Sequence, residues 1–169
     1  MADAIRIDID DRALMAQLAA VERTDARPLH AAIGAVVQTL IRLGFRTSTS
    51  PYGARWKPLR FRRGQPLVDK GRLRSSITYR ADETGVTIGT NLIQAKVHQF
   101  GATIEPRNAA FLHWQANGQK FWAKRVTIPA RPFLPILPSG QPSLPASWNA
   151  AIVARLRTAI QAVLNGRGG

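Results

Sequence analysis

The chain has 169 residues, no cysteine, 45% hydrophobic residues and a formal net charge of +14. This fits one domain, residues 1–169, with a real core, and argues against global disorder; disulfides and thiolate metal sites are excluded. No apolar run approaches the roughly 20 residues of a membrane span, and the acidic opening MADAIRIDID lacks a signal-peptide pattern. An intracellular origin and no membrane partner are therefore expected.

Residues 4–9 alternate apolar and polar, which predicts a short strand. Asp10 or Asp11 can cap a helix running to about Glu22, with Leu14, Leu18 and Val21 on one stripe. Thr24 and Asp25 restart a second helix, with Pro28 in its first turn and Gly44 as its stop. Its predicted stripe is Leu29, Ile33, Val36, Leu40 and Leu43. Residues 28–41 carry no charge, so this helix is expected to be buried on more than one face. Residues 10–44 thus read as a helical hairpin.

Residues 45–70 read as a long loop, punctuated by Gly and Pro, with Tyr52, Trp56 and Phe61 among its arginines. The charge is concentrated around it. Residues 42–80 hold eleven Arg or Lys and one acid, Asp69, a local charge of +10. Such a field favours an anionic partner, either nucleic acid or an acidic protein surface.

Residues 71–128 read as a sheet region. It opens with a short helix in VDKGRLRSSI. SITYR and VTIGT form a hairpin turning at Asp82 to Gly85, and LIQAKVHQFG a helix with apolar positions 92, 93, 97 and 100. Further strands are predicted in ATI, AAFLHW and KFWAKRVTIP, with an Asn-Gly turn making 110–128 a hairpin. Residues 129–145 hold six prolines, whose early spacing of three matches polyproline II. Two readings stay open for this stretch: a stiff arm that docks on a neighbour through Arg131, Phe133 and Leu134, or a strap over the chain's own core. Ser147 caps a last helix, residues 146–165, with Trp148, Ile152, Leu156, Ile160 and Val163 on its stripe. The order of elements indicates an α+β fold, with N- and C-terminal helices on a small, mostly antiparallel sheet.

Little in the chain resembles catalysis. No GxSxG elbow, Walker loop or GxGxxG is present. His30 reads as a core histidine. His98, Glu105 and His113 match no metal-binding spacing. No enzyme activity, metal or cofactor is expected. Arginines beside Trp56 and Phe61 could hold phosphates and stack bases, so non-specific nucleic-acid binding through residues 42–80 is the rival function. Trp56 also reads as a loop anchor on the core.

SPYGARWKPL, LVDKGRLRSSI, VTIGTN, AKVHQFGATI and IPARPFL occur in that order. Together, over residues 10–165, they resemble the virion-morphogenesis, or tail-completion, proteins of Mu-like phages and prophages. Lys96 and the long proline-rich stretch after Phe133 depart from the pattern. The resemblance implies a structural virion protein of the tail or neck, assembled in the host cytoplasm. It implies a homo-oligomeric, hexameric ring that joins neck or tail proteins such as a portal or adaptor, terminator or tube, with DNA in passing proximity. It also implies residue roles. Gly71 and Leu73 lead into the sheet, His98 and Phe100 end the short helix with Phe100 as a core plug, and Gly101 makes a sharp turn. Pro129 and Pro132 frame Arg131, which bonds backbone carbonyls or a carboxylate, and Phe133 fills a pocket. Trp56, Arg60, Phe61, Arg62 and Arg63 form, with Arg131, Phe133 and Leu134, the expected assembly surface.

Overall fold

The computed structural model describes residues 5–9 and 26–165. The expected helix ending at Glu22, the caps Thr24 and Asp25, and the side chain of Val163 lie outside what it describes. Strand β1 is Ile5–Ile9 and helix α1 is Arg27–Thr47. A one-turn helix α2, Arg72–Ser75, precedes β2, Thr78–Ala81, and β3, Val86–Thr90. Helix α3, Ala95–Phe100, leads to β4, Ala102–Ile104, then β5, Leu112–Ala116, β6, Gln119–Ala123, and β7, Val126–Ile128. Helix α4, Ala146–Asn165, closes the chain. The fold is α+β.

Helix α1 forms the centre of the core, with α4 on one side and β2 and β3 on another. Its buried row is Ile33, Val37, Ile41 and Phe45, each at most 2% exposed. This i, i+4 row is rotated from the predicted stripe: Val36 and Leu40 are half-buried, and Leu43 is exposed. The uncharged stretch 28–41 has no polar face to fix its rotation, so the packing partners decide it. By length and composition α1 could cross a bilayer, which corrects the sequence expectation. In this fold its buried row is committed to protein. The helix also runs past the predicted stop at Gly44. There the chain folds back so closely that a Cβ would lie 2.8 Å from the Thr49 carbonyl oxygen. Gln65 closes the helix end, its amide nitrogen donating to the carbonyls of Phe45 and Arg46 at 2.7 Å each. Carbonyls at a helix C-terminus otherwise lack partners.

Among the described residues the strands are divided over three small antiparallel sheets where one was expected. The first has order β1-β3-β2, and Val86, Ile88 and Thr90 of its central strand are buried. The second pairs β4 with β7 and the third β5 with β6. The predicted hairpin over 110–128 is therefore shorter, Leu112–Ala123. Its Asn117 and Gly118 have φ of 50° and 77°, the left-handed pair of a type I′ turn. KFWAKRVTIP splits after Ala123, and Val126–Ile128 crosses to β4. Gly101, at φ 75°, makes the crossing compact: a Cβ would meet Ile128 O and Ala130 N at 2.9 Å.

The proline stretch is a strap on the chain's own core. Phe133, Leu134, Pro135 and Ile136 are buried, with Phe133 at 1% exposure. Phe133 lies 5.5 Å, ring to ring, from Phe45. After Ile136 the chain turns back, with Leu137 N donating to Gln141 O and Ser143 N to Pro135 O, so no extended polyproline arm forms. Trp148, Ile152 and Leu156 of α4 complete the core as predicted, with Ile160 packed at its edge. Helix α4 starts at Ala146, so Ser147 sits inside its first turn.

The expected plug, Phe100, is 36% exposed, and its neighbour Gln99 is buried instead. Gln99 Oε1 accepts from the backbone N–H groups of Phe133 and Leu134 at 3.0 Å each. Its Nε2 donates to Leu134 O at 3.0 Å and more weakly to Ile136 O at 3.4 Å. One side chain thus supplies the partners a neighbouring strand would give. Gln99→Leu should strand these groups and cost roughly 2–5 kcal/mol in urea unfolding.

Candidate assembly interface

The basic loop is tied to the strap. Trp56, buried among Phe45 and its neighbours, donates Nε1–H to Pro132 O at 2.7 Å. Arg131 is buried, and its guanidinium donates Nε–H to Lys57 O at 2.8 Å and Nη2–H to Pro58 O at 3.0 Å. Of the two acceptors expected for it, the structure uses backbone carbonyls. Burial, then the charge of Arg62, lowers the Arg131 pKa from its usual value. Arg131, Phe133 and Leu134 are therefore buried within the chain itself, a correction to their expected place on an assembly surface. Trp56 is the loop's anchor.

Beyond Pro58 the loop reaches outward and is held a second time. Phe61 packs on Trp114 and Phe121 of the hairpin at 5.6 and 5.1 Å between ring centroids. Asn117 donates to Phe61 O at 3.2 Å. An isolated two-stranded hairpin is marginally stable, so Phe61 steadies β5 and β6 as much as they steady it. Arg60 lies over the Phe61 ring at 5.5 Å. Arg62 bonds the carbonyls of Arg63 and Gln65, while Arg60 and Arg63 remain exposed. The other face of the hairpin carries Trp122, 61% exposed, its ring tilted against that of His113 at 5.3 Å between centroids. Loop tip and hairpin together make one basic and aromatic surface. Trp122 was missed from the sequence, although strict alternation in KFWA places it opposite Phe121.

The remaining motif residues lie around this frame. Gly71, with φ of 72°, precedes α2, and buried Leu73 anchors that helix. Pro129 and Pro132 are half-buried on either side of Arg131. His98 is half-buried, and its carbonyl accepts from Arg131 N at 2.8 Å. Its Nδ1 is buried without a hydrogen-bond partner. Burial, and secondarily the Arg131 charge, lowers its pKa from 6.5. His30, fully buried, bonds Asp82 O through Nδ1 at 2.6 Å. Among the described residues no three His, Asp or Glu side chains converge as metal ligands, so His98, Glu105 and His113 do not form the set considered from the sequence.

These features define a small α+β module whose distinctive surface is a fixed, arginine-bearing loop braced on an aromatic hairpin. The model of the phage virion morphogenesis family matches residues 9–144. The Mu-like prophage FluMu G protein 2 of Haemophilus influenzae is 32% identical over 114 residues, 68% of this chain and 69% of that protein. No solved structure matches. The chain belongs to the phage virion morphogenesis family. The family match ends before α4, although Trp148, Ile152 and Leu156 of that helix complete the core here.

Two outcomes are expected. Arg131→Ala should free the loop, raising trypsin cleavage at Arg60, Arg62 and Arg63 by about tenfold or more, read on gels before global unfolding. The second concerns pH. Because folding lowers the His98 pKa, the unfolded chain binds the proton more readily. His98 thus leaves stability intact above about 6.5 and reduces it as pH falls from there towards the lower folded value. His98→Gln should shrink the stability lost between about pH 7 and about pH 5 in urea melts.

Proposed function

We propose that the chain completes a phage tail or joins it to the head, as a non-catalytic subunit acting through a homo-oligomeric, hexameric ring. The family supports a role in virion morphogenesis. The observation that carries the finer reading is the rigid presentation of Arg60, Phe61, Arg62 and Arg63. The chain spends Trp56, Arg131 and a hairpin on holding in place a loop with one acid among its many cations. Preordering of this kind lowers the entropy lost when a partner docks. An acidic neighbour such as a portal or adaptor, terminator or tube protein would dock there, in the tail or neck of a virion assembled in the host cytoplasm. The exposed Trp122 offers an anchor of the type concentrated at binding hot spots.

Native mass spectrometry should show a closed hexamer, and a chain that stays monomeric at all concentrations would overturn the ring. Reversing the charge at Arg60, Arg62 and Arg63 should leave the melting temperature unchanged yet block incorporation into particles. Normal incorporation of that variant would remove the loop from the interface. Oligonucleotide binding that falls about a thousandfold from low to moderate salt would favour the nucleic-acid reading instead.

A further inference from the structure

A second basic feature lies away from the loop tip. An open cleft of about 550 Å³ separates α1 from α2, lined by Thr39, Arg42, Leu43, Arg46, Arg74 and Ser75. Arg42 and Arg46 are one turn apart on α1, with Cβ atoms about 6 Å from each other. Arg74 faces them from α2. No acidic residue lines the cleft, and the ion pair between Arg27 and Glu83 lies elsewhere. Three cations converging without a counter-charge repel one another, so the cleft is electrostatically incomplete as it stands.

Both walls are fixed. Gln38 Nε2 donates to Ile77 O at 2.7 Å, tying α1 to the residue that follows the α2 turn. Gln65 holds the carbonyls of Phe45 and Arg46, fixing the turn of α1 that carries Arg46. Leu73 is buried and anchors α2, which leaves Arg74 exposed.

We infer that this cleft recognises an acidic segment of another polypeptide, taking its carboxylates between Arg42, Arg46 and Arg74. Guanidinium forks match carboxylates in geometry as well as charge. Phosphate has similar chemistry, but the surroundings favour a peptide. No aromatic ring lines the cleft to stack a base. Leu43 is 40% exposed between the two α1 arginines and also borders the adjoining cleft with Leu40, Tyr52 and Trp148. An amphipathic acidic segment could thus place carboxylates on the arginines and an apolar side chain on Leu43. Residues 26–165 of a second copy suit this poorly, carrying only Asp69, Asp82, Glu83 and Glu105 as acids; the other six acids of the chain lie in residues 3–25. The inference stands apart from the loop tip and does not depend on the ring.

Fluorescence anisotropy on the full chain tests it. The probes are a short helical peptide with Glu every fourth residue beside Leu, its Gln counterpart, and a single-stranded oligonucleotide of equal charge. The Glu peptide should bind and the Gln peptide should not. Arg42→Gln, Arg46→Gln and Arg74→Gln should each weaken binding about tenfold, with melting temperatures unchanged. Arg72→Gln on α2, outside the cleft, and the loop variant reversed at Arg60, Arg62 and Arg63 should bind as wild type. Leu43→Ser should weaken the Glu peptide and leave the oligonucleotide unaffected. Equal binding by wild type and the cleft variants would overturn the inference. So would an oligonucleotide that binds more tightly than the peptide and loses affinity in the cleft variants.

Discussion

The side-chain amide of Gln99 is the contact on which this fold turns. Leu134 and its neighbours carry backbone donors and acceptors into the core, far from water and without a neighbouring strand. Buried backbone groups must be paired, and here one glutamine from α3 pairs them. With the strap seated, Phe133 fills the space against Phe45, and Pro132 offers its carbonyl to Trp56. Arg131, one residue earlier, reaches the carbonyls of Lys57 and Pro58. The inner part of the basic loop, Trp56 to Pro58, is therefore tied to the strap through backbone carbonyls, without a carboxylate.

This arrangement leaves the charge unspent. A salt bridge would have neutralised Arg131 and drawn acids into a chain that has few. Carbonyl acceptors satisfy the guanidinium fork while the surrounding arginines keep their field. Crowding of like charge works against the compact state, and the strong local potential speeds encounter with an acidic surface. The same imbalance appears at the loop tip and in the cleft between α1 and α2, two sites with different walls and different apolar neighbours.

Much of the architecture was legible in the residues. Strand alternation in VTIGT, the Asn117-Gly118 turn and the Trp148, Ile152, Leu156 row appear where the pattern placed them. The face of α1 was misjudged because residues 28–41 of that helix carry no charge to mark a solvent side. The family resemblance implied Phe100 as a core plug, yet the phase of α3 buries Ala95 and Gln99. Gln99, Gln65 and Gln38 left no mark in hydrophobic periodicity, since a polar residue enters the core only when unpaired backbone groups await it. For the candidate site, the concentration of arginines was plain, as was the aromatic character of the loop. Which of those side chains face outward was not.

From its residues alone the chain determined its local structure: which stretches coil, which alternate, where the backbone must turn left-handed, and how much positive charge it carries. Those properties follow from φ/ψ sterics and from composition, and need no distant partner. Tertiary structure alone decided that the proline stretch is a strap, that Arg131 and Phe133 face inward, and that Arg42, Arg46 and Arg74 meet across a cleft. Each of those outcomes joins residues at least 28 positions apart, and no local pattern records which distant groups a fold will bring together.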